Sequence, residues 1–430
     1  MHRFFQLKEK GTTWQTEIVA GLTTFLTMAY ALVVNPAVLS TTGMSQSAIF
    51  VATCLAAAIG CFAMGLLANY PVGLAPSMGL NAYFAYTVVQ KLGYSWQIGL
   101  GAVFCSGIAF TALTLLGIRQ RIIYILPNSL KFGIAAGIGL FLGVIGLQNV
   151  GLLKVVPHFA FYFSVFTKLS FWLAVLGLGL IFVLERFRVY GAILIGIVAI
   201  TITGIVIGIT PFKGIFSWPP SIQPTLFALQ LPHFNDAKLL MVIFTFFFVA
   251  LFDSTGTLIA ILQQAKLIQR DGRIPRLTQA LFSDSFATTC GSLLGTSTTG
   301  SYIESSAGVK AGGKTGLTAV IVGLLFLAAL FFAPLAETVP VYATAPALVF
   351  VAILMARSLV LIKQEEITDK IAAVITAITI PITFSIAHGI SLGIISYVLL
   401  KIFTGNIRQV NIILGVLSVI LAVYLLHDFL

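Results

Sequence analysis

The chain has 430 residues, of which 59% are hydrophobic and 9% charged, with a mean hydropathy of +1.05. Soluble domains carry about 25% charged residues, so a soluble protein is excluded. Its apolar runs have about the 20 residues that cross a bilayer and lack the alternating ~10-residue segments of a β-barrel, which leaves an all-α polytopic membrane protein. The net charge of +11 does not point to nucleic acid, because almost every base sits in a short connection between apolar runs.

In chain order the apolar segments run over 17–38, 48–69, 72–90, 96–117, 130–150, 169–185 and 189–210, then 239–261, 277–294, 296–309, 316–336, 341–357, 371–387 and 389–403. That predicts fourteen spans, and 410–426 is a further run that either spans or lies against the bundle. No cleavable signal peptide is expected, since the first run begins near Ile18 behind a charged tail. With the N-terminus placed in the cytoplasm, the inner connections hold nineteen Lys and Arg, among them Arg119, Arg121, Arg270, Arg273, Lys310, Lys314 and Lys401. The outer ones hold five: Lys91, Lys154, Lys168, Lys213 and Lys238. This asymmetry follows the positive-inside rule and suits a multi-pass protein of the cytoplasmic (inner) membrane.

The longest outer connection, 211–238, divides the chain into a first repeat, 1–210, and a second, 239–430, with seven spans each. An odd number per half inverts the second half relative to the first. Segment three, GLAPSMGLNAYFAY (73–86), and segment ten, GTSTTGSYIESSAGV (295–309), are both short and rich in Gly and small residues. Corresponding interrupted segments in two halves point to a transporter's midplane site. Broken backbone persists at membrane depth only where it is buried or lines a cavity.

Of thirteen acidic residues, three fall well inside these segments: Asp253, Asp284 and Glu304. A charge at the bilayer centre costs about 2.5–3.5 kcal/mol on insertion scales, and no segment carries an interior Lys or Arg to pair with it. Asp253, in FVALFDSTGTL, and Glu304, in SYIESSAGV, therefore read as groups that handle a ligand or a proton. Asp284, in LFSDSFATT, suits a bond to neighbouring helix backbone equally well. Asn81 offers one acceptor and two donors, or caps a helix break. Ser301 supplies a hydroxyl beside the acid. Tyr302, with Tyr30, Tyr83 and Phe84, either stacks on a ring or simply packs. An ionised carboxylate only accepts hydrogen bonds, so two of them facing an amide suit a small, flat, neutral ligand with ring N–H groups. In low-dielectric surroundings such an acid can also carry a proton at physiological pH.

Several other signals carry less. GVKAGGKT (308–315) matches the P-loop pattern literally, but that motif needs a preceding buried strand in a soluble α/β domain; Lys310 and Lys314 are better read as topology determinants. The cysteines Cys54, Cys61, Cys105 and Cys290 have no metal-ligand spacing, and neither metal nor cofactor is expected. His2, His158, His233 and His427 lie in tails or loops, and His388 lies at an outer junction between spans. No span contains a nucleophile–base motif, so an enzyme is not expected.

EIVAGLTTFLTMAYALVVNP (17–36), PVGLAPSMGLNAYFAY (71–86), ALFDSTGTLIA (250–260) and TSTTGSYIESSAGVKAGGKTGLTA (296–319) closely resemble the nucleobase:cation symporter-2 (xanthine/uracil permease) superfamily. More narrowly they resemble its azaguanine-permease-like branch of adenine and hypoxanthine/guanine permeases. The resemblance implies a seven-plus-seven inverted repeat with a core domain (segments 1–4 and 8–11) and a gate domain (5–7 and 12–14), and leaves room for a homodimer through the gate. It also implies short strands in segments three and ten, with the purine held between them by Asp253 and Glu304. Asn81 matches the asparagine typical of this branch. Uracil-transporting relatives place a histidine four residues after the span-eight acid, where this chain has Thr257, so proton coupling falls to Asp253, Glu304 or Asp284. The implied activity is proton-coupled purine uptake; the same fold also carries uracil, xanthine or anions, although two buried carboxylates would repel an anion.

Overall fold

The computed structural model of the chain describes residues 2–117, 126–154, 160–161, 163–233, 235–268, 274–364 and 366–429. Arg119, Arg121, His158, Arg270 and Arg273 lie outside the described residues. Contacts divide the chain into two compact units, Met1–Gly117 with Ser164–Ala347, and Ile118–Phe163 with Leu348–Leu430.

The elements are α1 (His2–Phe5), α2 (Trp14–Met28), α3 (Ala31–Leu39), α4 (Gln46–Ala63), β1 (Leu74–Pro76), α5 (Met78–Ala82), α6 (Trp96–Leu115) and α7 (Asn128–Asn149). Then come β2 (Leu153–Lys154), β3 (Ala160–Phe161), α8 (Leu169–Arg186), α9 (Ala192–Val206), α10 (Ala237–Gln264), α11 (Leu277–Leu294) and β4 (Thr299–Ser301). The chain closes with α12 (Ser305–Lys310), α13 (Gly316–Ala329), α14 (Ala333–Thr338), α15 (Val341–Ala356), α16 (Ile367–Thr383), α17 (Ile386–Phe403) and α18 (Ile412–Phe429).

Among the described residues, nine helices are long and apolar enough to cross a membrane. The other segments expected to span are α9, α11, α16 and the two interrupted stretches around β1 and β4. The run expected at 410–426 is helical, as α18.

In the first unit, helices start on side-chain caps. Thr13, Ser45, Ser95, Asp236 and Thr315 each accept a first-turn N–H, at the starts of α2, α4, α6, α10 and α13. Each such cap contributes about 1 kcal/mol. Span one is not one helix. At Ala29–Tyr30 the N–H groups of Leu32 and Val33 bond back only three residues, to the Ala29 and Tyr30 carbonyls. That tightening separates α2 from α3.

The order helix, helix, strand, short helix and helix occurs twice, first as α3, α4, β1, α5 and α6 and again as α10, α11, β4, α12 and α13. The two strands pair antiparallel, Leu74 opposite Ser301, Ala75 opposite Gly300 and Pro76 opposite Thr299. Around them α4 packs on α11 and α13, α2 packs on α12 and α13, and α6 packs on α10 and α11. Backbones approach closely at Gly316, where a methyl group would lie 2.0 Å from the Gly65 carbonyl oxygen.

In the second unit α16 packs along α7 and α17. Two expectations are corrected here. The helix read as 371–387 is Ile367–Thr383, and Phe384, with φ +51°, turns the chain so that Ser385 caps a new helix at Ile386. His388 therefore lies in the first turn of α17, its N–H donating to Ser385 Oγ at 3.2 Å, rather than in a connection. Thr368 and Asp369 are buried within the first turn of α16. The second correction explains how. Lys401, assigned to an inner connection, is fully buried in the last turn of α17 and pairs with Asp369 and Glu366, each at 2.7 Å.

Candidate functional site

The site is built in the first unit where β1 and β4 cross and both chains then turn into helices. The ladder extends one step past each strand. Ser77 N donates to the Thr298 carbonyl at 2.8 Å, and Tyr302 N donates to the Gly73 carbonyl at 3.0 Å. Side chains reinforce the crossing. Tyr302 Oη donates to the Pro76 carbonyl at 2.6 Å, and Ser305 Oγ accepts from Gly73 N at 2.9 Å. Cys61 Sγ meets both backbone polar groups of Leu74, so this thiol serves the strand as well as the packing.

Asp253 and Glu304 meet this crossing from opposite sequence halves. Asp253, on α10, is half-buried and accepts from Ser77 Oγ at 3.1 Å. Glu304, in the N-cap position of α12, is half-buried and accepts at Oε1 from Tyr30 Oη at 2.8 Å. Each carboxylate lies within Coulombic range of Tyr302, and Glu304 lies within range of Asp253. Among the described residues neither is ion-paired. Among the described residues, the hydroxyls of Thr298, Thr299 and Ser301 are buried with no protein hydrogen-bond partner. Leaving such a group without one costs about 1–3 kcal/mol, so β4 presents unused polar capacity beside two uncompensated carboxylates.

Residues 15–392 match the Permease family profile (Xan_ur_permease). The chain belongs to the Permease family. It is 45% identical over 428 residues to the adenine permease AdeP of Escherichia coli (strain K12), covering 99% of this chain and 96% of that one. It is 40% identical over 436 residues to the guanine/hypoxanthine permease PbuG of Bacillus subtilis (strain 168), covering 99% of each. Among solved structures, the transmembrane domain of the cyanobacterial bicarbonate transporter BicA has the same fold, with a TM-score of 0.65 at 18% identity over 88% of this chain and 97% of that one. This is a multi-pass membrane permease and not an enzyme.

The permease separates the residues singled out from its sequence into three groups. Asp253, Glu304, Tyr302 and Ser301 come together at the strand crossing, with Thr257 half-buried one turn beyond Asp253 on α10. Asn81 is fully buried in a second cluster: its Nδ2 donates to Asn35 Oδ1 and its Oδ1 accepts from Ser297 Oγ, while Asn35 Nδ2 donates to Thr53 and Thr296 hydroxyls at 2.7 and 3.0 Å. Asp284 stands behind β4, 1% exposed; a methyl group on Gly300 would lie 3.9 Å from its Oδ1 and 2.7 Å from Ser254 Oγ.

Sequence reasoning missed Ser77, Asn35 and Glu17, and read Tyr30 only as a ring that stacks or packs. Tyr30 and Asn35 were visible as polar groups inside the apolar stretch TMAYALVVNP. Glu17 was overlooked because it precedes the apolar run. It is fully buried and accepts from Lys314 N, Thr318 N and Thr318 Oγ1 at 3.0, 3.3 and 2.6 Å. Its carboxylate thus occupies the amides at the start of α13 that a P-loop would offer to phosphate. Among the described residues, no group of three or more His, Cys, Asp or Glu is placed to hold a metal.

Proposed function

We propose that this permease is a secondary active transporter that takes up a purine nucleobase, adenine or hypoxanthine/guanine, across the cytoplasmic membrane together with a proton. The observation that carries the reading is the pair Asp253 and Glu304, half-buried, within Coulombic range of each other and, among the described residues, bonded to the Ser77 and Tyr30 hydroxyls without a cationic partner. Ionised carboxylates accept from ring N–H groups, and a neutral flat base meets no cationic requirement there. The named substrates of AdeP and PbuG support the same class. Tyr302 gives the base a ring to lie against, and Ser301 and Thr257 offer hydroxyls. Asn81 shapes the pocket through its bonds to Asn35 and Ser297 rather than by standing alone.

Coupling falls to Asp253, with Glu304 and Asp284 next. Protonated, Asp253 can donate to a ring nitrogen, and Ser77 Oγ can follow the change because a hydroxyl both donates and accepts. The architecture that goes with this reading has fourteen spans in two inverted repeats, 1–210 and 239–430, joined by 211–238. Segments 1–4 and 8–11 then form a core and 5–7 and 12–14 a gate, the N-terminus is cytoplasmic, and a homodimer forms through the gate. An anion substrate would have to approach two carboxylates unaccompanied by Lys or Arg, which disfavours it.

The test is uptake of labelled adenine by cells lacking their own purine permeases, with unlabelled hypoxanthine, guanine, xanthine and uracil as competitors. Competition by purines and not by uracil is expected. Absence of purine uptake, or equal competition by uracil, contradicts the reading.

A further inference from the structure

The two carboxylates are held differently. Asp253 meets one serine hydroxyl from the end of its own strand crossing. Glu304 is gripped by span one at two points. Tyr30, 3% exposed in the break between α2 and α3, donates its phenol to Oε1 at 2.8 Å. Thr27, on the preceding turn, donates to the Thr24 carbonyl at 2.8 Å and reaches the Glu304 backbone carbonyl at 3.3 Å. The Tyr30 and Tyr302 rings stand 6.3 Å apart.

We propose that Tyr30 is the positioning residue for Glu304: its phenol occupies Oε1 so that Oε2 is presented to the substrate's ring N–H. This rests on the purine reading above. A glutamate has three rotatable side-chain bonds, and in a half-buried site those bonds would otherwise let the carboxylate turn away. A donor fixed on a separate element removes that freedom before substrate arrives, and preorganisation of this kind is worth affinity without a new contact to ligand.

Tyr30→Phe keeps the ring and removes only the donor. Adenine uptake kinetics in proteoliposomes should show KM raised about tenfold with Vmax within about twofold, and an unchanged thermal unfolding temperature in detergent. In the infrared spectrum of the purified protein, the carboxyl band of Glu304, identified by its loss in Glu304→Gln, should shift in Tyr30→Phe. A merely structural tyrosine would lower Vmax and the unfolding temperature and leave KM and the band in place. That result, or wild-type kinetics with an unmoved band, overturns the proposal. A wild-type protein that takes up no purine overturns the purine reading instead, and the band then still decides the role of Tyr30.

Discussion

Glu304 in the first unit and Asp369 in the second pose the same problem, a carboxylate among apolar helices, and the chain solves it in opposite ways. Asp369 is 8% exposed and has Lys401 Nζ at 2.7 Å; Lys401 also reaches Glu366 and Gln409. That acid has a counter-charge, which it shares with Glu366. Glu304 is half-buried and receives a neutral phenol at Oε1 in place of a cation. Glu17 lies between the two, with both oxygens taken up by backbone amides and a threonine hydroxyl. In the proposed reading, what separates the two structural acids from the ligand-handling one is how fully their oxygens are committed within the protein, not burial. An ion pair cannot exchange its partner cheaply, whereas a carboxylate bonded only to hydroxyls retains acceptor capacity for a substrate.

The largest effect should come from breaking the compensated pair. Lys401→Met leaves Asp369 buried without its counter-charge, a change that costs about 3–5 kcal/mol. Thermal unfolding in detergent should fall sharply, and adding Asp369→Asn should restore most of the loss. If Lys401→Met alone melts like wild type, the cluster is not the structural element described here.

The uncompensated acid should behave in the reverse manner. Glu304→Gln replaces an acceptor pair with one acceptor and one donor, losing about the 1.5–3 kcal/mol of a charged hydrogen bond, or at least tenfold in purine affinity. Its unfolding temperature should remain near that of wild type. Near-normal purine binding by the folded variant would erase the contrast between the two acids.

The smallest effect is predicted at Lys314. Its backbone N–H serves Glu17, and its Nζ reaches the Gly11 carbonyl at 3.3 Å in an exposed position. Lys314→Ala should leave purine uptake largely intact, and the wild-type protein should not hydrolyse ATP. Purine-stimulated ATPase activity lost on that substitution would overturn the topological role given to this lysine.

Much of this was legible in the chain because the bilayer makes sequence informative. Runs of about 20 apolar residues mark helices, and an acid within one stands out against them. Asp253 and Glu304 were found that way, and the small-residue composition of segments three and ten marked them as interrupted; that they hold strands was implied by the family resemblance alone. What escaped was whatever depended on partners distant in sequence. Hydropathy started one helix at 371 because Thr368, Asp369 and Lys370 look like a loop; only the pairing of Asp369 with Lys401, 32 positions on, shows why the helix begins at Ile367. Tyr30 lies 274 residues from Glu304, and no local pattern distinguishes a phenol that packs from one that donates. Asn81 looked like a free amide until Asn35 and Ser297 were seen to claim it.

The central claim is that an uncompensated carboxylate couples a proton to a purine, and Asp253 carries it. Proton and base should then bind cooperatively, each tightening the other. Uptake should fall as external pH rises and collapse with a protonophore. Asp253→Asn holds the group permanently neutral, so it should still exchange purine while losing the ability to concentrate it. The direct measurement is purine accumulation in vesicles under an imposed pH gradient, wild type beside Asp253→Asn. Accumulation by the wild type and only equilibration by the variant is the predicted result; a variant that still concentrates purine in response to the gradient would contradict it.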